Sequence, residues 1–170
     1  MQHRAAVLHG LSNMQRNANI NIVLVQPEIP HNTGAVGRLC VGLGARLHLV
    51  RPLGFRIDDA SLKRCGLDYW EHVDLKVHDC WDKFLESEAP GRAIFLTKRA
   101  TKSLYDYRFR PGAYLVFGSE HKGFPPDFYE TYSDKLYSIP MPGKHARSIN
   151  LANAAAIAAY EAFRQISDGS

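Results

Sequence analysis

Three stretches of the 170-residue chain carry glycine, amide and charge together, a combination that helix or strand formation alone does not require. The first, Asn32-Thr-Gly-Ala-Val-Gly-Arg38, sets an amide and a guanidinium on two consecutive helical turns. The second, Leu115-Val-Phe-Gly-Ser-Glu-His-Lys-Gly123, runs an apolar segment into Gly118, with Glu120 and Lys122 close behind. A residue without a Cβ at that point lets a ligand approach the backbone. The third, Ile139-Pro-Met-Pro-Gly-Lys-His-Ala-Arg-Ser-Ile-Asn-Leu-Ala-Asn153, leaves a strand through two prolines, crosses a basic loop and opens a helix at Ser148. Asn150 and Asn153 then fall in the first turns, where asparagine is a poor helix former and its amide is available to other groups. Loops of this composition beside strand ends are where α/β domains place their sites. Each stretch alone also has a plain structural reading: a capped helix with a solvent-facing arginine, a strand-to-loop turn, and Ser148 as a helix cap.

The elements around these stretches alternate. Ile20 to Val25 reads as a buried strand, and Pro27 and Pro30 then enforce a loop. Asn32 or Thr33 can cap a helix with the apolar stripe Val36, Leu39, Cys40 and Leu43, stopped by Gly44. Leu47 to Val50 is a second strand, and a short helix from Asp58 or Asp59 through Leu62 ends at Gly66. Val73 to Val77 reads as a strand and Trp81 to Ser87 as a helix. Ala93 to Thr97, Ala113 to Phe117 and Leu136 to Ile139 are apolar runs of strand length. A long Ala-rich helix from Ile149 to about Ile166 closes the chain. Such alternation predicts one α/β domain over residues 20–170, with a mostly parallel sheet and helices on both faces. Met1 to Asn19 reads as a poorly ordered extension.

Composition narrows the function classes. The chain is 45% hydrophobic and 22% charged, which excludes disorder, collagen and coiled coil. No apolar run approaches the ~20 residues that span a bilayer, so a soluble, cytosolic protein without a membrane partner is expected. A net charge of +4 and a pI near 9.0 permit a polyanionic partner. Cys40, Cys65 and Cys80 are too few and too scattered for a disulfide frame or a zinc site, and indicate reduced thiols. His78 and Cys80 form a lone pair of potential ligands, so no metal is expected. G-x-G-x-x-G, the P-loop, H-E-x-x-H and G-x-S-x-G are all missing, which argues against dinucleotide, nucleotide, zinc-protease and serine-hydrolase chemistry.

In this order and spacing, the three stretches resemble the motifs of the SPOUT clan of RNA methyltransferases, in its SpoU branch of ribose 2′-O-methylating enzymes. Coverage runs from about Asn21 to Gln165. Glu28-Ile-Pro-His-Asn-Thr-Gly34 and Gly66-Leu-Asp-Tyr69 are further similar to the smallest members, the tRNA (cytidine/uridine-2′-O)-methyltransferases acting at the wobble position. The resemblance implies a C-terminal deep trefoil knot, against the general rarity of knots, and a homodimer whose active site crosses the subunit boundary. It implies S-adenosylmethionine as methyl donor, with S-adenosylhomocysteine as product, held by Leu96, Thr97, Gly118, Ile139, Met141, Ser148, Asn150 and Leu151.

Arg38 is then the catalytic arginine, either as base or as electrostatic stabiliser of the developing alkoxide. A guanidinium is effectively never deprotonated in proteins, which keeps the second role open. Asn32, Glu120, Ser148 and Asn150 resemble the residues that hold it. Tyr160 matches a tyrosine of the small members that contacts the target nucleotide, and equally fits a core aromatic of the last helix. For RNA the basic loop residues are Arg46, Arg51, Arg56, Lys63, Arg64, Lys98, Arg99, Lys102, Lys144 and Arg147. The alternatives are the same chemistry on another RNA such as ribosomal RNA, or a non-catalytic RNA-binding module.

Overall fold

A computed structural model describes residues 19–57 and 69–168. Six strands form one sheet: β1 (Asn21–Val25), β2 (Arg46–Val50), β3 (Leu75–His78), β4 (Ala93–Leu96), β5 (Tyr114–Phe117) and β6 (Leu136–Tyr137). Their order is β3-β2-β1-β5-β4-β6, and every neighbouring pair is parallel. The helices are α1 (Pro30–Leu43), α2 (Trp81–Glu88), α3 (Phe128–Thr131) and α4 (Leu151–Asp168). The short helix expected after Asp58 and most of the Met1 to Asn19 extension lie outside the described residues. The α/β reading holds.

A parallel sheet must be covered on both faces, and the strand alternation divides the core accordingly. Ile22, Leu24, Leu115 and Phe117 face Val36 and Cys40 of α1 and Ala155, Ala158 and Ala159 of α4. Val23, Val25, Phe95 and Val116 face Phe84 of α2 and Phe128 of α3. Alanines along α4, with Ala155, Ala158, Ala159 and Ala162 fully buried, let this helix lie close to the sheet and to α1.

Two helix starts differ from expectation. Ile29 is the N-cap of α1 and Pro30 occupies its first turn, so Asn32 sits inside the helix and is 5% exposed. Proline suits that position because its fixed φ is helical and its missing N–H is not needed. At α4 the cap is Asn150, not Ser148: Asn150 Oδ1 accepts from the backbone N–H groups of Ala152 and Asn153 at 2.9 and 3.3 Å. Gly44 ends α1 in the left-handed region at φ 64°, as its place in the sequence predicts.

Candidate active site

The chain proceeds from β1 through β2 to β3 on one side of the sheet, while β5, β4 and β6 build the other. Where the strand order reverses, between β1 and β5, the loops at the carboxyl ends diverge and leave a crevice. A cleft of about 380 Å³ opens there. Leu96 and Thr97 from the end of β4, Gly118 after β5, and Ile139 and Met141 after β6 line it. Ser148, Asn150 and Leu151, at the start of α4, close the opposite wall together with Asn32 of α1. The three stretches singled out in the sequence therefore converge on one cavity.

Within it the polar residues bind one another. Glu120 accepts hydrogen bonds from the backbone N–H of Glu28 at 2.7 Å, of Ile29 at 3.2 Å and from Asn32 Nδ2 at 3.0 Å. The first two are donors at the start of α1 that the helix itself cannot satisfy, and a carboxylate also complements the helix dipole there. Asn32 Oδ1 in turn accepts from Asn150 Nδ2 at 3.0 Å. The starts of α1 and α4 and the loop after β5 are thus tied by one continuous run of hydrogen bonds.

That loop is rigid for a second reason. Ser119 and Gly123 exchange reciprocal backbone hydrogen bonds of 3.0 Å, folding residues 119–123 back on themselves. A Cβ on Gly118 would lie 2.4 Å from the carbonyl carbon of Gly123 and 2.5 Å from Phe124 N. The returning backbone of its own loop thus requires the glycine, which also lines the cleft. At the loop tip, His121 is hydrogen-bonded to Glu28, and this bond holds the Glu28 carboxyl below its usual range.

Two predicted site residues stand apart from this set. Arg38 lies six residues beyond Asn32, which turns it to another face of α1. It is exposed, with its guanidinium 5.3 Å from the ring centroid of Tyr69. Tyr69 is itself anchored by donating to the Gly34 carbonyl at 3.0 Å. Asn32, Glu120 and Asn150 hold each other and do not hold Arg38 within one chain. Tyr160 is 55% exposed on α4, which removes its reading as a core aromatic.

The sequence reading missed Tyr129, which lines the cleft beneath Arg99, whose guanidinium sits 4.5 Å from the ring centroid. No local pattern announces that pair, because Arg99 lies on the loop after β4 and Tyr129 on α3. Lys98, Arg99 and Lys122 make this rim basic, and Lys144 and Arg147 are exposed on the loop that leads to Ser148 and α4. Arg46 and Arg51 instead pair with Asp74 at 2.8 Å and Asp79 at 3.8 Å. Lys102 donates to the Asp134 carbonyl at 2.6 Å. Lys63 and Arg64 lie outside the described residues.

The chain is similar to known proteins along most of its length. A tRNA (cytidine(34)-2′-O)-methyltransferase of Burkholderia ambifaria is 48% identical over 149 residues, covering 85% of this chain and 94% of that protein. Its counterpart in Saccharophagus degradans is 46% identical over 147 residues, covering 86% and 95%. A solved structure described as giving insights into the 2-OH methylation of C/U34 on tRNA is 50% identical. It superposes with a TM-score of 0.80, covering 86% of this chain and 95% of its own. The fold alone is shared with AviRb from Streptomyces viridochromogenes in complex with AdoMet, at 24% identity and a TM-score of 0.74. Residues 19–160 match the SpoU rRNA Methylase family as a whole, and with a parallel sheet, a crevice at its switch point and all three motif stretches on that crevice, the chain belongs to this family.

Proposed function

We propose that this chain transfers the methyl group of S-adenosylmethionine to the ribose 2′-hydroxyl of the wobble nucleotide, cytidine or uridine at position 34, in tRNA. The observation that carries this reading is the convergence of three sequence-distant stretches on one cleft, in a chain so similar along its length to proteins named for that reaction.

The cleft suits the cofactor. Its volume of about 380 Å³ lies in the range of small-molecule sites. Leu96, Ile139 and Leu151 offer apolar cover for an adenine, and the strand ends at Thr97 and Gly118 offer backbone groups for its edge. S-adenosylmethionine supplies an electrophilic methyl on a sulfonium, so no metal is needed. The protein's task is to hold the ribose oxygen in line with that methyl, and alignment of this kind can supply ~7–11 kcal/mol.

Asn32, Glu120 and Asn150 act here as positioning residues, because they fix the walls of the cleft relative to one another. Arg38 supplies the fixed positive charge for the developing alkoxide. Its exposure on α1 and its distance in sequence from Asn32 fit delivery to a neighbouring copy, so the active unit is a homodimer in which Arg38 of the partner subunit completes the site. Ser148 and Tyr160, both exposed, are the residues offered to the incoming nucleotide. Lys98, Arg99, Lys122, Lys144 and Arg147 form the phosphate-binding rim, and the reaction belongs to the cytoplasm. The knot through which α4 is tucked is part of the same reading. Among the described residues no helix is long and apolar enough to cross a membrane.

The test is incubation with labelled S-adenosylmethionine and tRNA lacking its wobble 2′-O-methyl, followed by mass-spectrometric mapping. Methyl on the ribose of nucleotide 34 is expected. Methyl on another nucleotide, or none when cofactor binding and a full-length tRNA are verified, overturns the assignment.

A further inference from the structure

Away from the cleft, on the α2 face of the sheet, one cluster of donor atoms has no part in methyl transfer. His48 of β2, His78 at the end of β3 and Glu88 at the end of α2 bring potential ligand atoms within 4.8 Å of one another. His48 is fully buried and His78 is 7% exposed. Their rings stack with centroids 5.3 Å apart, and His48 Nδ1 faces His78 Nε2 at 3.0 Å.

The outer nitrogen of each ring is occupied. Asn21 Nδ2 donates to the Ala113 carbonyl, so Asn21 Oδ1 is the atom turned to His48 Nε2, at 3.3 Å, and accepts its proton. Ser87 Oγ lies 3.3 Å from the Phe84 carbonyl and 3.4 Å from His78 Nδ1, and its hydroxyl proton can serve either. With that proton on the carbonyl, Ser87 accepts from His78 Nδ1 and the two inner nitrogens present lone pairs to each other, 3.0 Å apart. In this tautomer a positive centre between them is stabilising, whereas the other tautomer joins the rings by one neutral hydrogen bond. A shared proton would create a buried imidazolium, which desolvation disfavours. A divalent ion satisfies both lone pairs, and the outer hydrogen bonds are the orienting partners that metal-bound histidines have.

We propose that His48, His78 and Glu88 form a structural binding site for a divalent transition metal of the zinc class, joining the edge strand β3 and the end of α2 to β2. Two imidazoles and a carboxylate suit such an ion, with water as the fourth ligand. Glu88 is held by Lys76 at 2.9 Å and by the Tyr114 hydroxyl at 3.3 Å, and each of its oxygens keeps a further lone pair. Lys76 is the cation the metal displaces or shares. The site lies beside Tyr114 at the start of β5, whereas the cleft lies at that strand's other end, so the two are separable.

Cobalt(II) is the probe, because its visible absorption reports tetrahedral nitrogen and oxygen ligation directly. Titration of the metal-stripped full chain is expected to saturate at one equivalent, to be reversed by zinc, and to raise the melting temperature. Glu88→Gln keeps the side-chain shape and should weaken binding at least ~10-fold, as should His78→Gln, while Cys80→Ser leaves it unchanged. Circular dichroism of each variant verifies the fold. Absence of both absorption and a melting shift in the wild type overturns the proposal. So does binding that survives Glu88→Gln and His78→Gln but is lost in Cys80→Ser.

Discussion

Asn32 is the residue on which the candidate site turns. Its amide gives a proton to Glu120 and takes one from Asn150, and it is buried between them. Asn32→Ala leaves the Asn150 amide without its acceptor and removes one of three donors from the Glu120 carboxylate. Unfilled hydrogen bonds of this kind cost about 1–3 kcal/mol, and urea unfolding should show a loss of that size together with weaker cofactor binding in calorimetry. Arg38 behaves oppositely. Its visible intrachain contact is with the Tyr69 ring, so Arg38→Ala should cost under about 1 kcal/mol. Cofactor affinity should be retained and methyl transfer lost. Near wild-type turnover in this variant would remove Arg38 from the mechanism.

At the scale of elements, α1 carries both of these residues and is anchored by its apolar stripe. Cys40 is fully buried there, against the sheet and α4. Burial, reinforced by the nearby Asp74 charge, pushes its thiol from 9.0 up to about 12. The folded state therefore keeps a proton that the unfolded chain releases above pH 9.0. Stability from this residue is fully present below that pH and is lost as pH rises toward 12. The alkaline fall in unfolding free energy should accordingly be shallower in Cys40→Ala, measured by denaturant titration across that range. In the native protein, iodoacetamide should label the exposed Cys80 and spare Cys40.

For the whole molecule the decisive question is whether one cleft is completed by a second copy. Mixing Arg38→Ala with Asn150→Ala protomers tests it. Each variant alone should be inactive, whereas a heterodimer regenerates one cleft with an intact wall and an intact arginine. Random exchange then restores about a quarter of wild-type activity in a two-fold symmetric dimer. No recovery after verified subunit exchange would mean that each chain uses its own Arg38.

Much of this was legible in the residues themselves. Gly44 as a helix stop, the apolar runs of the strands and the α/β alternation follow from local propensity and burial period, which act over a few neighbours. So does the singling out of Gly118 and Glu120 on a loop, and of Asn150 at a helix start, as residues with more to do than form or link elements. The start of α1 misled because Asn32 has the chemistry of a cap, while Pro30 had already taken the first turn. What Asn32 does instead depends on Glu120 and Asn150, 88 and 118 residues away. The reason for Gly118 lay in a backbone that returns five residues later, and the partner of Arg99 on α3, 30 residues further along the chain. His48 and His78 stand 30 residues apart on neighbouring strands, paired with Lys76 and Val50 respectively, and their rings meet on the diagonal across β2 and β3. Local sequence determines which backbone states are cheap. Which distant polar groups meet is decided only when strand order and helix packing close the chain, because a hydrogen bond or ligand set reads distance in space and not along the sequence.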